Sequence, residues 1–154
     1  MDNPLNHAYA LSSIFTRYKE IHDKAFSFSI ASPINVSGRS SLEPLRAYEK
    51  ELGSLRKELG AIQEQLSVLE KQKARQKTTE SEVLDVVIDY TNALSETINQ
   101  LQFIFRNLRL ENAGDEALLG YRKNEYREDC AAYDDSLQEY RRLGSKLKAA
   151  FENR

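Results

Sequence analysis

Residues 71–89 read KQKARQKTTESEVLDVVID, and the order of charges in this stretch decides how the chain folds. Four bases, Lys71, Lys73, Arg75 and Lys77, are followed at once by Glu80, Glu82, Asp85 and Asp89. A helix macrodipole favours cations near its C-terminus and anions near its N-terminus, by roughly 0.3–1 kcal/mol each. The stretch therefore reads as the end of one helix and the start of the next. Thr79 and Glu82 have capping-box spacing just before the apolar Val83.

The flanking segments show what those helices bury. Upstream, Leu45, Tyr48, Leu52, Leu55, Leu59, Ile62, Leu66 and Leu69 recur in steps of three and four. Downstream, Val83, Val87, Tyr90, Leu94, Leu101, Ile104 and Leu108 do the same. This spacing gathers apolar side chains into one stripe on a helix, favourable only against another helix. Leu45 and Val87 are a whole number of heptads apart, and neither glycine nor proline interrupts 62–112. One continuous helix of about 70 residues, paired in parallel with a second copy as a structural rod, is thus the rival reading. The would-be seam positions between the rows, Lys73, Gln76 and Glu80, are polar. With the charge order, they favour a tight hairpin near 77–79.

Two more rows complete the pattern. Tyr126, Cys130, Tyr133, Leu137, Tyr140, Leu147 and Phe151 form one, and Leu11, Ile14, Tyr18, Ile21, Ala25 and Phe28 a weaker one. Asp2 or Asn3 before Pro4 marks a helix start. Pro33, Gly38 and several serines mark residues 29–40 as a loop. Gly114, after Arg106 and Arg109, reads as a helix C-cap, with Asp115 and Glu116 opening the next helix. The expected helices are about 3–28, 41–76, 79–112 and 115–152. They form a single all-α domain: an elongated antiparallel helical bundle of three long coiled-coil-like helices, each about 50 Å, plus a shorter N-terminal helix. The third helix carries a second apolar row, Leu84, Ile88, Ile98 and Phe105, which predicts a central place or a dimer face.

Composition narrows the function classes. A chain of 154 residues is long enough to bury about 70% of its unfolded surface without staples. Its 24 acidic and 22 basic side chains nearly cancel, which argues against a general nucleic-acid or anionic-membrane binder. The N-terminal residues lack a signal-peptide pattern, and nothing approaches the ~20 apolar residues of a membrane span. The lone Cys130 reads as a small buried hydrophobe suited to a reducing compartment, so a cytoplasmic protein is expected. Homodimerisation suits a slender bundle whose seam lies near the surface.

Few residues suggest chemistry. The two histidines, His7 and His22, fit neither zinc nor di-iron spacing, and phosphate loops and nucleophile elbows are missing, so no metal or cofactor is expected. The string Arg17-Tyr-Lys-Glu-Ile-His22 resembles the Arg-x4-His motif of the HEPN family of all-helical ribonucleases. That resemblance covers six residues and implies an Arg17 and His22 pair acting at a scissile phosphate. It stands in the first helix, whereas the family motif lies late in the bundle, and Tyr18 occupies a usually polar place.

The basic tip, Lys71, Lys73, Arg75 and Lys77, has no aromatic to stack on bases and is explained by dipole compensation. Tyr126, Tyr133 and Tyr140 lie seven apart, with Asp134 and Asp135 on the same helix. Tyrosine couples apolar area to a polar tip, so this edge is the candidate partner-binding face. Gly53 and Gly60 beside the seam predict close approach of another helix. The expected function is a non-enzymatic protein-interaction module, an adaptor, chaperone or inhibitor gripping a protein partner along a helix face.

Overall fold

In the computed structural model, which describes residues 7–26, 42–73 and 79–152, each apolar row becomes a helix. They are α1 (Ala8–Phe26), α2 (Leu42–Lys73), α3 (Thr79–Asn112), a one-turn α4 (Tyr121–Asn124) and α5 (Tyr126–Glu152), with a 3-10 turn over Glu116–Leu118. No strand occurs among the described residues. The chain is all-α, and no described helix is long and apolar enough to cross a membrane.

α3 is the helix against which both other long helices pack, as its double apolar row predicts. Leu94, Ile98, Leu101, Phe105 and Leu108 are fully buried. Two buried threonines interrupt this core, and their hydroxyls are satisfied within the helix. Thr91 donates to the Val87 carbonyl at 2.7 Å and Thr97 to the Ala93 carbonyl at 2.8 Å.

α2 and α3 are antiparallel, as three cross-helix pairs establish. Arg109 pairs with Glu49, Arg56 donates to Gln102 at 2.7 Å, and Gln63 donates to Asn92 at 2.9 Å. Residue numbers rise on one helix as they fall on the other, so residues 42–112 are folded back on themselves and are not a single rod. The turn expected near 77–79 lies, apart from Thr79, outside the described residues. Arg75 and Lys77 of the basic tip lie there too, while Lys71 is exposed near the end of α2 and Lys73 is that helix's last residue.

Gly53 gives room to a side chain and not to a helix. A Cβ there would sit 3.2 Å from the Gln102 amide nitrogen, which donates to the Glu49 carbonyl. Gly60 meets nothing within 4 Å, so the close helix approach expected along both glycines does not occur.

α5 runs antiparallel to α3, since Tyr90 meets Tyr140 and Thr97 meets the Ser136 carbonyl. α1 packs on α2 and α3 and reaches α5 through Phe15, Tyr18 and His22. It is buried along Leu11, Ile14, Tyr18, Ile21 and Ala25, its predicted row. α1 begins at Ala8, later than the expected start near residue 3, and residues 1–6 are outside the described set.

The fourth helix differs from expectation. The C-cap at Gly114 holds: its φ is 88°, its N–H donates to the Glu111 carbonyl, and the Asp115 N–H donates to the Leu110 carbonyl, the Schellman pattern. Asp115 does not open the long helix, however. Its side chain accepts from the Ala117 N–H at 3.0 Å and caps only the 3-10 turn. Gly120, at φ 77°, then redirects the chain into α4, so the long helix starts at Tyr126.

Candidate functional site

Two of the three tyrosines of the candidate partner-binding edge point inward. Tyr133 and Tyr140 are each only 4% exposed, and their hydroxyls are engaged by other helices. Tyr133 shares a hydrogen bond with the Tyr18 hydroxyl and another, 2.6 Å long, with His22 Nδ1. Tyr140 is bonded to the Tyr90 hydroxyl at 2.5 Å. Tyr126 is half-buried against the core, stacked edge-on against Tyr121. Asp134 and Asp135 are exposed. The structure thus separates the acids from the rings, because a row at 3.5-residue spacing is the buried row whatever its side chains are.

Burial governs the chemistry of these groups. Desolvation pushes the Tyr18 hydroxyl up to about 12, and it raises Tyr133 and Tyr140 further. The same cause holds His22 below its ordinary value, so it favours the neutral ring. The Cys130 thiol, half-buried, is likewise pushed up by burial, which opposes thiolate chemistry there.

Arg17 and His22 do not converge. Arg17 turns toward α2, pairing with Glu51 at 2.8 Å and Glu58 at 2.7 Å, while His22 turns toward Tyr133 on α5. Five residues of helix rotate one side chain about 140° from the other. Within one chain the two candidates therefore serve different interfaces. Among the described residues no group of acidic, histidine and cysteine side chains could hold a metal ion.

What the structure does bring together is a groove between α1 and α5, enclosing a cavity of about 550 Å³. Its floor is apolar and aromatic: Tyr18, Leu137 and Tyr140 are buried, and Phe15 and Tyr90 are half-buried. Phe15 and Tyr140 lie with ring centroids 5.7 Å apart. Gly144 completes one wall, and a Cβ there would be in ordinary contact with Tyr90, at 3.5 Å. The exposed rim carries Lys19, Arg141 and Lys148, with Asp23 as its one carboxylate. Lys19 is paired to Asp23 at 2.8 Å, and Lys148 reaches Glu152 only at 4.0 Å.

The sequence points to part of this groove. Tyr140 belongs to the tyrosine row, and of the two acids only Asp135 faces away from the groove, since Asp134 lies on the face of Arg141 and its charge reaches His22. Gly144, four residues after Tyr140 on the same helix face, is the local signal. A second depression, of about 470 Å³ between α3 and α5, is lined by Glu82, Asp85 and Asp89 with Lys146. Acids there are the N-terminal charges of α3 already accounted for by its dipole. No family model, curated protein or solved structure matches the chain.

Proposed function

We propose that the chain is a non-enzymatic interaction module of the cytoplasm that binds a protein partner in the groove between α1 and α5. The observation that carries this reading is the aromatic floor left open between two antiparallel helices. A groove of this kind suits an amphipathic helix, which lays its apolar face on the rings and leaves its polar face wet. Apolar surface concentrated in one concavity, ringed by charge, is the usual form of a recognition site.

The test uses a photo-crosslinking amino acid at Ser145 on the groove rim and, separately, at Asp135 on the far side of α5. Crosslinking to a protein from the native cytosol at position 145, lost when Gly144→Trp fills the groove, supports the reading. Equal crosslinking at both positions, or yield unaffected by Gly144→Trp, overturns it. Helicity by circular dichroism confirms that the variant folds.

A further inference from the structure

We infer that this groove selects a carboxylate: its occupant is a partner helix that sets an aspartate or glutamate beside the apolar side chain it lays on the aromatic floor. The inference rests on the groove being the docking site and adds what is recognised there.

The first argument is a count of hydrogens. Tyr90 and Tyr140 lie 2.5 Å apart through their hydroxyls, and that single bond consumes one of their two O–H donors. No second acceptor for the pair is present among the described residues, and both rings line the cavity. One donor therefore remains for whatever enters. The Tyr18, Tyr133 and His22 set beside it differs, because Tyr18 can donate to Tyr133 and Tyr133 to His22 Nδ1.

The second argument is charge. Arg141 is exposed on the rim and forms no hydrogen bond or ion pair among the described residues, unlike Arg17, Arg109 and Arg142. Lys148 lies on the same wall, and the rim's single carboxylate, Asp23, is already occupied by Lys19. A carboxylate entering here meets a free guanidinium and an unspent hydroxyl, both donors and neither an acceptor competing for water. A lysine on the docked helix would face two like charges instead. The apolar neighbour is received by the Phe15 and Tyr140 rings, whose centroids lie 5.7 Å apart on the cavity floor.

The probe is a stapled 15-residue helical peptide with leucines along one stripe and glutamates flanking it, compared with copies carrying glutamine or lysine instead. Binding is read by fluorescence anisotropy. The glutamate peptide is expected to bind the full chain roughly tenfold more tightly than the glutamine copy, with the lysine copy weakest. Arg141→Glu should reverse the order of the glutamate and lysine peptides without loss of helicity. Glutamate and glutamine peptides bound equally, and both lost in Gly144→Trp, would overturn the carboxylate preference while leaving the groove as the docking site. Binding of none of the three at millimolar peptide overturns the inference, and the crosslinking experiment then judges the groove separately. Naphthalene-2-carboxylate binding more tightly than the glutamate peptide would overturn the helix as occupant.

Discussion

Replacing Tyr133 by phenylalanine removes the one oxygen that bonds both Tyr18 and His22 of α1. Tyr18 is 2% exposed, so its hydroxyl loses its partner where water does not reach. A buried hydroxyl left unsatisfied costs ~1–3 kcal/mol. His22 is half-buried and its Nδ1 adds at most ~1 kcal/mol, since solvent takes part of the place of Tyr133. The expected loss is about 1–4 kcal/mol. At a urea m-value of ~2 kcal/mol/M the midpoint falls by roughly 0.5–2 M.

Two single-oxygen deletions calibrate this. Tyr18→Phe leaves Tyr133 bonded to His22, and Tyr140→Phe strands only the half-buried Tyr90. Each should cost about 1 kcal/mol or less. Because both groups that lose the Tyr133 oxygen belong to α1, amide hydrogen exchange should rise there before it rises in α3. Unfolding free energies of Tyr133→Phe and Tyr140→Phe within ~0.5 kcal/mol of each other, or exchange rising evenly across all helices, would refute the claim that this hydroxyl pins α1 to α5.

Three further outcomes are expected. Burial holds His22 below its ordinary 6.5, so between its folded value and 6.5 the unfolded chain binds the extra proton. The stability due to the neutral ring is full above 6.5 and lost as pH falls through the folded value; His22→Gln should flatten the wild-type decline measured by denaturation across pH 5–7, and parallel slopes would contradict it. In the alkaline range the sign reverses: Tyr18, raised from 10.0 to about 12, contributes stability that is full below 10 and lost as pH climbs toward 12. Ultraviolet titration should accordingly show a class of tyrosines ionising only with unfolding, and a single transition at 10 would be inconsistent. Gly120→Ala forces an L residue to φ 77° against the Asn124 amide and should cost ~1–2 kcal/mol, whereas Gly60→Ala, facing open space within α2, should gain ~0.5–1 kcal/mol by thermal melting. Equal effects of the two would contradict the geometry.

The helices were legible because their stripes and end charges are local. Leu52, Leu55 and Leu59 need only their own spacing to declare a buried face, and Gly114 needs only its place after Arg109. Tyr133 could be assigned to a row but not to a partner, because the hydroxyl it meets is on Tyr18, 115 residues away. Once α1 is laid beside α5, the tyrosine that looked like surface becomes core. The divergence of Arg17 from His22 was readable from helical rotation, yet the carboxylates that claim Arg17 lie on α2 and depend on how α1 leans. Gly120 was visible as a residue, but the stronger acid signal at Asp115 and Glu116 concealed that the chain turns twice before α5. The groove has no local signature beyond Gly144, since it is a gap between elements.

The apolar seam of α2 and α3 repeats every seven residues, so sliding one helix past the other by a heptad would return apolar side chains to one another at most positions. Gly60 repeats the Gly53 notch one heptad on; what does not repeat is the match of Arg109 to Glu49 and of Arg56 to Gln102, since seven residues further along α2 stand Arg56 and Gln63. These polar contacts act as a key in a ratchet otherwise free to skip teeth. A variant that removes the charge match, such as Glu49→Leu, is therefore expected to keep its helicity and compactness while settling into more than one alignment of the hairpin.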